Sequence, residues 1–394
     1  MHIHILGICG TAMAGFARIA SQLGHHVTGA DANVYPPMSE VLADLGIAVH
    51  EGYDAESLVP RPDLVLIGNA LSRGNPAVEA VLSARIPYTS GPEWLSQNVL
   101  TGRRVIALSG THGKTTTTAL VTHILKSAGL EPGYMVGGQV PDLGPTADLG
   151  TGEWFVIEAD EYDTAFFDKR SKFVHYRPTC LAINNLEFDH ADIFADLAAI
   201  ETQFHHLVRT VPANGVILAN AEAPAIDRVL ARGCWTPVFR FGTSAEAALR
   251  IAAADDPETA CLLHIDAGYL DAQAQQTANI HTQLLGTFNQ ENIAVAVGAA
   301  LFAGVSLEVA LAAVASFRGV TRRLQPMQRR RRRSLTCSWT NPYGVNGSSA
   351  ASMGTPTRAR GCSCGVWIRW RVMSTGRSSP GTPPMARRPA FSLA

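Results

Sequence analysis

Short apolar segments alternate with helical patterns over the first hundred residues. The segment HIHIL (2–6) predicts a buried strand, and apolar positions between Ala12 and Leu23 recur with the period of a helix. A second helix is predicted over 75–84, where Asn75-Pro76 provides an N-cap and a first-turn proline. Further strands are predicted at 26–30, 63–68 and 86–90. This alternation indicates a parallel α/β domain, which we place at residues 1–100.

A second α/β pattern follows and extends to residue 324, so we predict a central domain over 101–324. Its strands are apolar almost throughout, as expected where helices cover both faces of a sheet. They are predicted at 104–109, 153–160, 178–185 and 214–220, with shorter alternating strands between Cys234 and about Leu285. The predicted helices are 115–128, 194–209, 223–231, 289–303 and 307–317.

Neither period continues from Arg329 onward, and the charge balance changes there. The whole chain has a net charge of −1, but residues 325–394 contain twelve arginines, no lysine and no acidic residue. The preceding residues hold the other 20 basic and all 33 acidic residues, a net charge of −13. A basic nucleic-acid-binding arm and a solvated disordered end are two interpretations. We favour a third, translation of GC-rich DNA in the wrong reading frame, and predict an atypical, disordered tail at 325–394.

The bulk composition is that of a folded protein, with 46% hydrophobic and 16% charged residues. No apolar run has the length of a membrane span, and Met1 to Ile5 opens into a strand instead of a secretion signal. The seven cysteines show no framework spacing, which suits a reducing compartment. We therefore predict a cytoplasmic protein without a membrane partner.

The stretch SGTHGKTTTT (109–118) lies between a predicted strand and a predicted helix. Gly113-Lys114-Thr115 matches the end of the P-loop pattern, in which lysine reaches the phosphates and the hydroxyl binds Mg²⁺. Leu108 stands where the pattern has its first glycine, so the loop is tighter. The alternative is a glycine turn with an accidental lysine. We favour a nucleotide-phosphate site formed by Gly110, Thr111, His112, Gly113, Lys114, Thr115 and Thr116.

Acidic and imidazole side chains follow the next two predicted strands. Glu158 and Asp160 end one strand, and Asp189 and His190 follow the other. The carboxyl ends of parallel strands form the ligand-binding edge of a sheet, and Mg²⁺ prefers hard oxygen ligands. These clusters therefore suit Mg²⁺ that bridges ATP to a second substrate, although each member alone could be an ordinary surface group.

A first glycine-rich loop joins the strand at 2–6 to the helix that follows. Gly7 and Gly10, with Asp31 closing the next strand, resemble a dinucleotide-binding unit. Cys9 and Ala12 occupy positions where the NAD fingerprint requires glycine. The pattern therefore favours a diphosphate over NAD, and an NAD-dependent oxidoreductase or a plain tight turn are the alternatives.

These residues together resemble the Mur ligases of bacterial cell-wall synthesis. The likeness rests on Gly110–Thr116, Glu158, Asn185–His190 and the segment GTFNQEN (286–292). It is supported by HILGICGTAMAG (4–15) and the long string EADEYDTAFFDKRSKFVHYRP (158–178), and it covers about residues 1–324.

The resemblance implies a fold and a set of roles. It implies a Rossmann-like N-terminal domain that holds UDP-N-acetylmuramate and a P-loop ATPase-type central domain. The positions implied for the sugar nucleotide are Gly7, Gly10, Thr11, Asp31, Asn69 and Ser72. Lys114 falls on the γ-phosphate position, and Thr115, Glu158 and His190 fall on the magnesium positions. Asn289 and Asn292 match the adenine-contacting segment, and the implied catalytic groups are Lys114, His190 and Glu158.

The implied activity is ATP- and Mg²⁺-dependent amide formation in peptidoglycan recycling. UDP-N-acetylmuramate is joined, through an acyl phosphate, to the murein tripeptide L-Ala-γ-D-Glu-meso-diaminopimelate, and the string at 158–178 favours this amine over the alternative, L-alanine. Nucleic acid is not an expected partner. His190 is interpreted as a metal ligand, with a role as a base as the alternative.

The resemblance also implies a third domain that binds the amine. In the family this domain opens with a motif like DDFAHHP, shortly after a pair like Arg322-Arg323. No such motif follows here, so the sequence predicts that this domain is missing or replaced and that ligation by this chain is impaired.

Overall fold

The N-terminal part of the computed structural model builds a five-stranded parallel sheet. The structure describes residues 1–188, 194–254, 260–269 and 275–321. The strands are β1 (His2–Leu6), β2 (His26–Asp31), β3 (Ala48–Glu51), β4 (Leu64–Ile67) and β5 (Tyr88–Ser90), with helices α1 (Thr11–Gln22), α2 (Met38–Asp44), α3 (Pro76–Ser83) and α4 (Gly91–Leu95). The order β3-β2-β1-β4-β5 is Rossmann-like, and its switch point lies beside β1.

A larger sheet of ten strands follows, and most of its strands run parallel. Its strands, with a separate hairpin of β10 and β11, are β6 (Arg104–Ser109), β7 (Gly133–Met135), β8 (Ala147–Asp148), β9 (Trp154–Glu158), β10 (Asp163–Ala165), β11 (Asp168–Ser171), β12 (Cys180–Ile183), β13 (Val216–Asn220), β14 (Val238–Gly242), β15 (Leu249–Ala252), β16 (Cys261–Ile265) and β17 (Gln276–Ile280). The order is β17-β16-β15-β14-β13-β12-β6-β9-β7-β8. Its helices are α5 (Lys114–Ser127), α6 (Leu197–Val208), α7 (Pro224–Ala231), α8 (Thr287–Phe302) and α9 (Leu307–Ser316).

The predicted α/β class is confirmed, and every predicted strand and helix is present with ends that differ by a few residues. The sequence patterns missed α2, α4, β3, β7, β8 and the hairpin of β10 and β11. The boundaries near residues 100 and 324 stay predictions, and the tail at 325–394 lies outside the described residues. In the described ranges, no helix combines the length and apolarity that crossing a bilayer requires.

Helix α1 packs directly against the second sheet as well as its own. A Cβ atom at Gly15 would lie 3.0 Å from Met135 Cε and 3.2 Å from the Ala147 Cβ, so glycine permits this close approach. Near the end of the helix, Gln22 Nε2 donates to Asp148 Oδ2 at 3.1 Å. One hydrophobic cluster consequently includes core residues of both sheets.

The hairpin of β10 and β11 makes a second connection. Phe166 and Phe167, at its turn, pack against the apolar cluster on the other face of the N-terminal sheet. The Phe167 ring meets the Tyr88 ring edge-on at a centroid distance of 5.0 Å. The segment 158–178, which supports the family resemblance in the sequence, therefore connects the two sheets.

Buried His4 on β1 gives a testable pH dependence of stability. Its Nδ1 lies 2.8 Å from Thr28 Oγ1, and its Nε2 has no hydrogen-bond partner in the described part of the chain. Burial, followed by the charges of His2 and His50, lowers the pKa of His4 to about 4. Between pH 6.5 and pH 4 the unfolded chain therefore binds a proton that the folded protein does not bind, and stability falls as the pH falls.

We expect this histidine to remove about 2 to 3 kcal/mol of unfolding free energy between pH 7 and pH 4.5. His4→Asn, which can retain an acceptor near Thr28, should reduce that loss in equilibrium urea unfolding. His281→Asn is the matched control because His281 is exposed. Equal pH slopes for wild type and His4→Asn would contradict the assignment.

Candidate functional site

The loop between β6 and α5 places a lysine at the start of a helix. Gly110 and Gly113 adopt φ values of 128° and 84°, which favour glycine. Lys114 Nζ donates to the carbonyl oxygen of Gly110 at 2.7 Å and lies 3.7 Å from Asp160 Oδ1 and 3.5 Å from Glu161 Oε2. The ammonium group is thus held at the helix N-terminus, where backbone N–H groups also favour an anion.

Strand β9, which pairs with β6, brings a carboxylate to the same edge of the sheet. In β9, Glu158 Oε1 accepts a hydrogen bond from Thr115 Oγ1 at 2.7 Å, and Oε2 accepts one from the backbone N–H of Gly137 at 2.7 Å. Burial, and secondarily the charge of Asp160, raises the pKa of Glu158. The sequence prediction that Thr115 and Glu158 lie together is therefore met in the structure.

The donor set suits Mg²⁺. A hydroxyl and a carboxylate are hard oxygen ligands, and Mg²⁺ commonly takes one or two protein ligands together with waters and phosphate oxygens. Across the described ranges, no group of three or more His, Cys, Asp or Glu side chains is arranged to hold a metal ion. His190, the third predicted ligand, lies outside the described residues.

A buried polar network joins β12, α5 and α8. Asn184 Nδ2 donates to Thr117 Oγ1 and to Asn292 Oδ1, both at 3.0 Å. Asn292 Nδ2 donates to Asn289 Oδ1 at 3.2 Å, and Asn289 Nδ2 donates to the carbonyl oxygen of Leu285 at 2.7 Å. Asn184 Oδ1 is buried without a hydrogen-bond partner among the described residues.

Asn185 fixes the shape of the loop between β6 and α5, residues 110–113, which we call the phosphate loop after its predicted ligand. Its side-chain oxygen accepts from the backbone N–H of His112 at 2.7 Å, and its carbonyl oxygen accepts from the N–H of Thr111 at 3.1 Å. The hydroxyl of Thr111 in turn accepts from the N–H of Glu187 at 2.9 Å. The residues that follow β12 therefore hold the loop beside a cavity that His112 and Gly113 line.

That cavity, which we call the nucleotide cavity, has a volume of about 560 Å³. It is lined by His112, Gly113, Asn184, Asn185, Leu186, Glu187, Asn220, Glu222, Ala223, Pro224, Phe241, Phe288, Glu291 and Asn292. Three predicted nucleotide residues, His112, Gly113 and Asn292, line it, whereas Asn289 stands behind Asn292. Half-exposed Phe288 offers an aromatic ring beside the polar side chains of Asn184 and Asn292, so the cavity suits a nucleobase and its ribose.

A second cavity, the bridging cavity, lies between the two sheets and has a volume of about 380 Å³. Gly10, Thr11 and Asn69 line it from the N-terminal sheet, and Thr115 and Glu158 line it from the second sheet. Predicted sugar-nucleotide and phosphate-loop residues thus share one space. The sequence analysis missed Thr164, Lys172 and Tyr176, which also line it.

Gly7, Asp31 and Ser72 are not among the described lining residues of the bridging cavity. Asp31 Oδ2 accepts from the N–H of Cys9 at 2.9 Å, and Oδ1 accepts from the N–H of Asn33 at 3.0 Å. Asp31 therefore holds the first loop in shape. Ser72 lies in an exposed turn before α3. Contacts of these three residues with a sugar nucleotide stay a prediction.

Taken together, the parallel sheets, the lysine-bearing loop and the carboxylate at the end of β9 define an α/β protein whose loop between β6 and α5 is similar to a P-loop. The description "Mur ligase family, catalytic domain" matches residues 2–102, and "Mur ligase middle domain" matches residues 108–300. The chain belongs to the Mur ligase family. This membership decides against the oxidoreductase interpretation of the first loop.

Individual relatives are similar over the same part of the chain. The UDP-N-acetylmuramate–L-alanyl-gamma-D-glutamyl-meso-2,6-diaminoheptandioate ligases of Haemophilus influenzae and Escherichia coli K12 are 48% and 50% identical, over 82% of this chain and 70% and 69% of their own lengths. The crystal structure of UDP-N-acetylmuramate:L-alanyl-gamma-D-glutamyl-meso-diaminopimelate ligase from Neisseria meningitides has a TM-score of 0.74 and 46% identity. That match covers 82% of this chain and 99% of the solved chain.

Proposed function

We propose that this protein is a ligase of the ATP-dependent type that joins UDP-N-acetylmuramate to the tripeptide L-Ala-γ-D-Glu-meso-diaminopimelate in peptidoglycan recycling, and the impaired ligation predicted from the sequence stays a prediction. The bridging cavity carries the proposal, because Gly10 and Thr11 face Thr115 and Glu158 across it. The names of the similar relatives support the choice of substrates. Because ATP and UDP-sugars are made inside the cell, we propose a cytoplasmic location.

ATP is needed because a carboxylate is a poor electrophile. In the proposed reaction, a carboxylate oxygen of the muramyl lactyl group attacks the γ-phosphorus of ATP, and ADP leaves with the electrons of the broken bond. The tripeptide amine then attacks the acyl carbon, loses a proton and expels inorganic phosphate. The amide bond forms at the cost of one phosphoanhydride bond.

The chain would contribute positioning and charge neutralisation rather than covalent chemistry. Lys114 would neutralise charge on the transferred phosphoryl group from its place at the start of α5. Thr115 and Glu158 would hold Mg²⁺, which when bound would offset the charge of the phosphate oxygens. The roles of His190 as a metal ligand or a base remain hypotheses outside the described residues.

The nucleotide cavity is the proposed site of the adenosine. Asn292 lines it beside the start of α5, and Phe288 places an aromatic ring within it. The network through Asn184 and Asn289 fixes the orientation of Asn292. The γ-phosphate would then extend along the loop toward Thr115, which lines the bridging cavity.

The test is substrate-dependent ADP release by the purified full chain with ATP and Mg²⁺. We expect release to require UDP-N-acetylmuramate and not UDP-N-acetylglucosamine, which lacks the lactyl carboxylate. Hydroxylamine should trap the acyl phosphate as a hydroxamate, so the first step can be measured in the absence of the tripeptide. Mass spectrometry with the tripeptide or with L-alanine then identifies the amine. ADP release that is equal with UDP-N-acetylmuramate and UDP-N-acetylglucosamine would overturn the proposal. A product formed with L-alanine alone would overturn the choice of amine.

A further inference from the structure

Lys172 lines the bridging cavity, and it belongs neither to the phosphate loop nor to the proposed metal ligands. It follows the hairpin of β10 and β11 and begins a single 3₁₀ turn, Lys172–His175. Its backbone N–H donates to the carbonyl oxygen of Tyr162 at 2.9 Å, and its Nζ lies 5.4 Å from the centroid of the Tyr162 ring. The preceding Ser171 Oγ donates to the carbonyl oxygen of Glu161 at 2.6 Å. The base of the side chain is therefore held firmly.

The charges around the cavity indicate which kind of ligand group Lys172 would bind. Glu158 and Asp160 line the cavity with carboxylates, and Lys172 is the single cation among its described lining residues. Lys114 lies behind Asp160, at the phosphate loop. A substrate carboxylate that enters the cavity meets two acids of the same sign, so a positive charge on the cavity wall favours its binding.

Burial lowers the pKa of Lys172, whereas the charges of Asp160 and Glu161 act in the opposite direction and favour the ammonium form. A carboxylate ligand would favour that form further. The diphosphate of the sugar nucleotide has a different partner, because Gly10 and Thr11 at the start of α1 line the cavity from the N-terminal sheet. The lysine is therefore placed for the acidic sugar substituent and not for the diphosphate.

We infer that Lys172 binds the lactyl carboxylate of UDP-N-acetylmuramate and holds it opposite Thr115 and Glu158. The inference rests on the proposed function and adds a substrate-binding residue to it. An ion pair at this point orients the nucleophilic oxygen toward the phosphate loop. It also selects a sugar nucleotide that carries an acid over one that lacks it.

The experiment compares two ligands that differ in the lactyl group, UDP-N-acetylmuramate and UDP-N-acetylglucosamine. Isothermal titration calorimetry on the full chain should show that Lys172→Met weakens UDP-N-acetylmuramate binding about 10- to 100-fold. The affinity for UDP-N-acetylglucosamine should change less than about twofold. Lys172→Arg, which keeps the charge, should restore part of the preference. Lys169→Met is the matched control, because Lys169 lies on the same hairpin, is exposed and pairs with Asp163 at 2.9 Å.

Each outcome decides a different point. Lys172→Met could lose affinity equally for both ligands while its melting temperature is unchanged. That result would show that Lys172 supports the shape of the cavity and does not recognise the carboxylate. An unchanged affinity for UDP-N-acetylmuramate would overturn the inference and leave the proposed function standing. Wild-type protein that binds neither ligand would overturn the proposed function together with the inference.

Discussion

Lys114→Met is expected to lower UDP-N-acetylmuramate-dependent ADP release by about 10³-fold, the size of effect seen when one group that stabilises transition-state charge is removed. The ammonium of Lys114 is held by the carbonyl oxygen of Gly110 and by two carboxylates, so its position is fixed before nucleotide binds. Methionine keeps the length and the packing of the side chain. The affinity for UDP-N-acetylmuramate should persist, because this residue lies at the phosphate loop.

Lys126→Met provides the control for this change. Lys126 lies in the last turn of the same helix and is exposed, so its replacement should leave ADP release within about twofold of wild type. Circular dichroism and thermal unfolding of both variants would establish that the fold is kept. Turnover near the wild-type rate in Lys114→Met would show that the phosphate site has been assigned to the wrong loop.

Gly110→Ala should damage both stability and nucleotide binding. A Cβ atom at Gly110 would lie 2.9 Å from the carbonyl oxygen of Asn185, and the φ of 128° is one that alanine rarely adopts. Strain and overpacking each cost about 1 to 3 kcal/mol, so we expect a loss of about 2 to 6 kcal/mol of unfolding free energy. Relief of the clash would separate the loop from β12, so the affinity for ATP should fall as well.

Gly24→Ala separates the two causes. Gly24 also has a positive φ, 82°, but a Cβ atom there would have no described heavy atom within 4 Å. This variant should lose about 1 kcal/mol through backbone strain alone and keep its affinity for ATP. Calorimetric melting and ATP titration on both variants make the comparison. Equal effects of the two substitutions would refute the close contact between the loop and Asn185.

The sequence predicts the edge of the second sheet well, for a physical reason. The strands at 104–109, 153–160 and 178–185 are apolar because both faces are covered, and parallel strands bring their carboxyl ends together. That rule alone places Glu158 near Thr115. The elements that were missed have weaker patterns, since β3 is short and carries no fully buried side chain.

The sequence could not predict the bridging cavity in the same way. The place of Lys172 depends on Phe166 and Phe167 packing against the N-terminal sheet, which is a contact between elements far apart in the chain. Asp31 is a different case. Its place at the end of β2 predicts a contact with the sugar nucleotide, which stays a prediction, and the pattern did not show that its carboxylate accepts the N–H of Cys9. Phe288 lies within a recognised segment, but only the folded chain shows that its ring lines the nucleotide cavity.

The close contact at Gly15 fixes the distance between helix α1 and the second sheet. One end of this helix presents Thr11 to the bridging cavity, and the middle rests on Met135 and Ala147 of the other sheet. A larger residue at position 15 would therefore push α1 away from the second sheet and widen the bridging cavity, which the sugar spans in the proposed complex. In the proposed complex, Gly15 therefore sets the distance between the diphosphate of the sugar nucleotide and its reacting carboxylate.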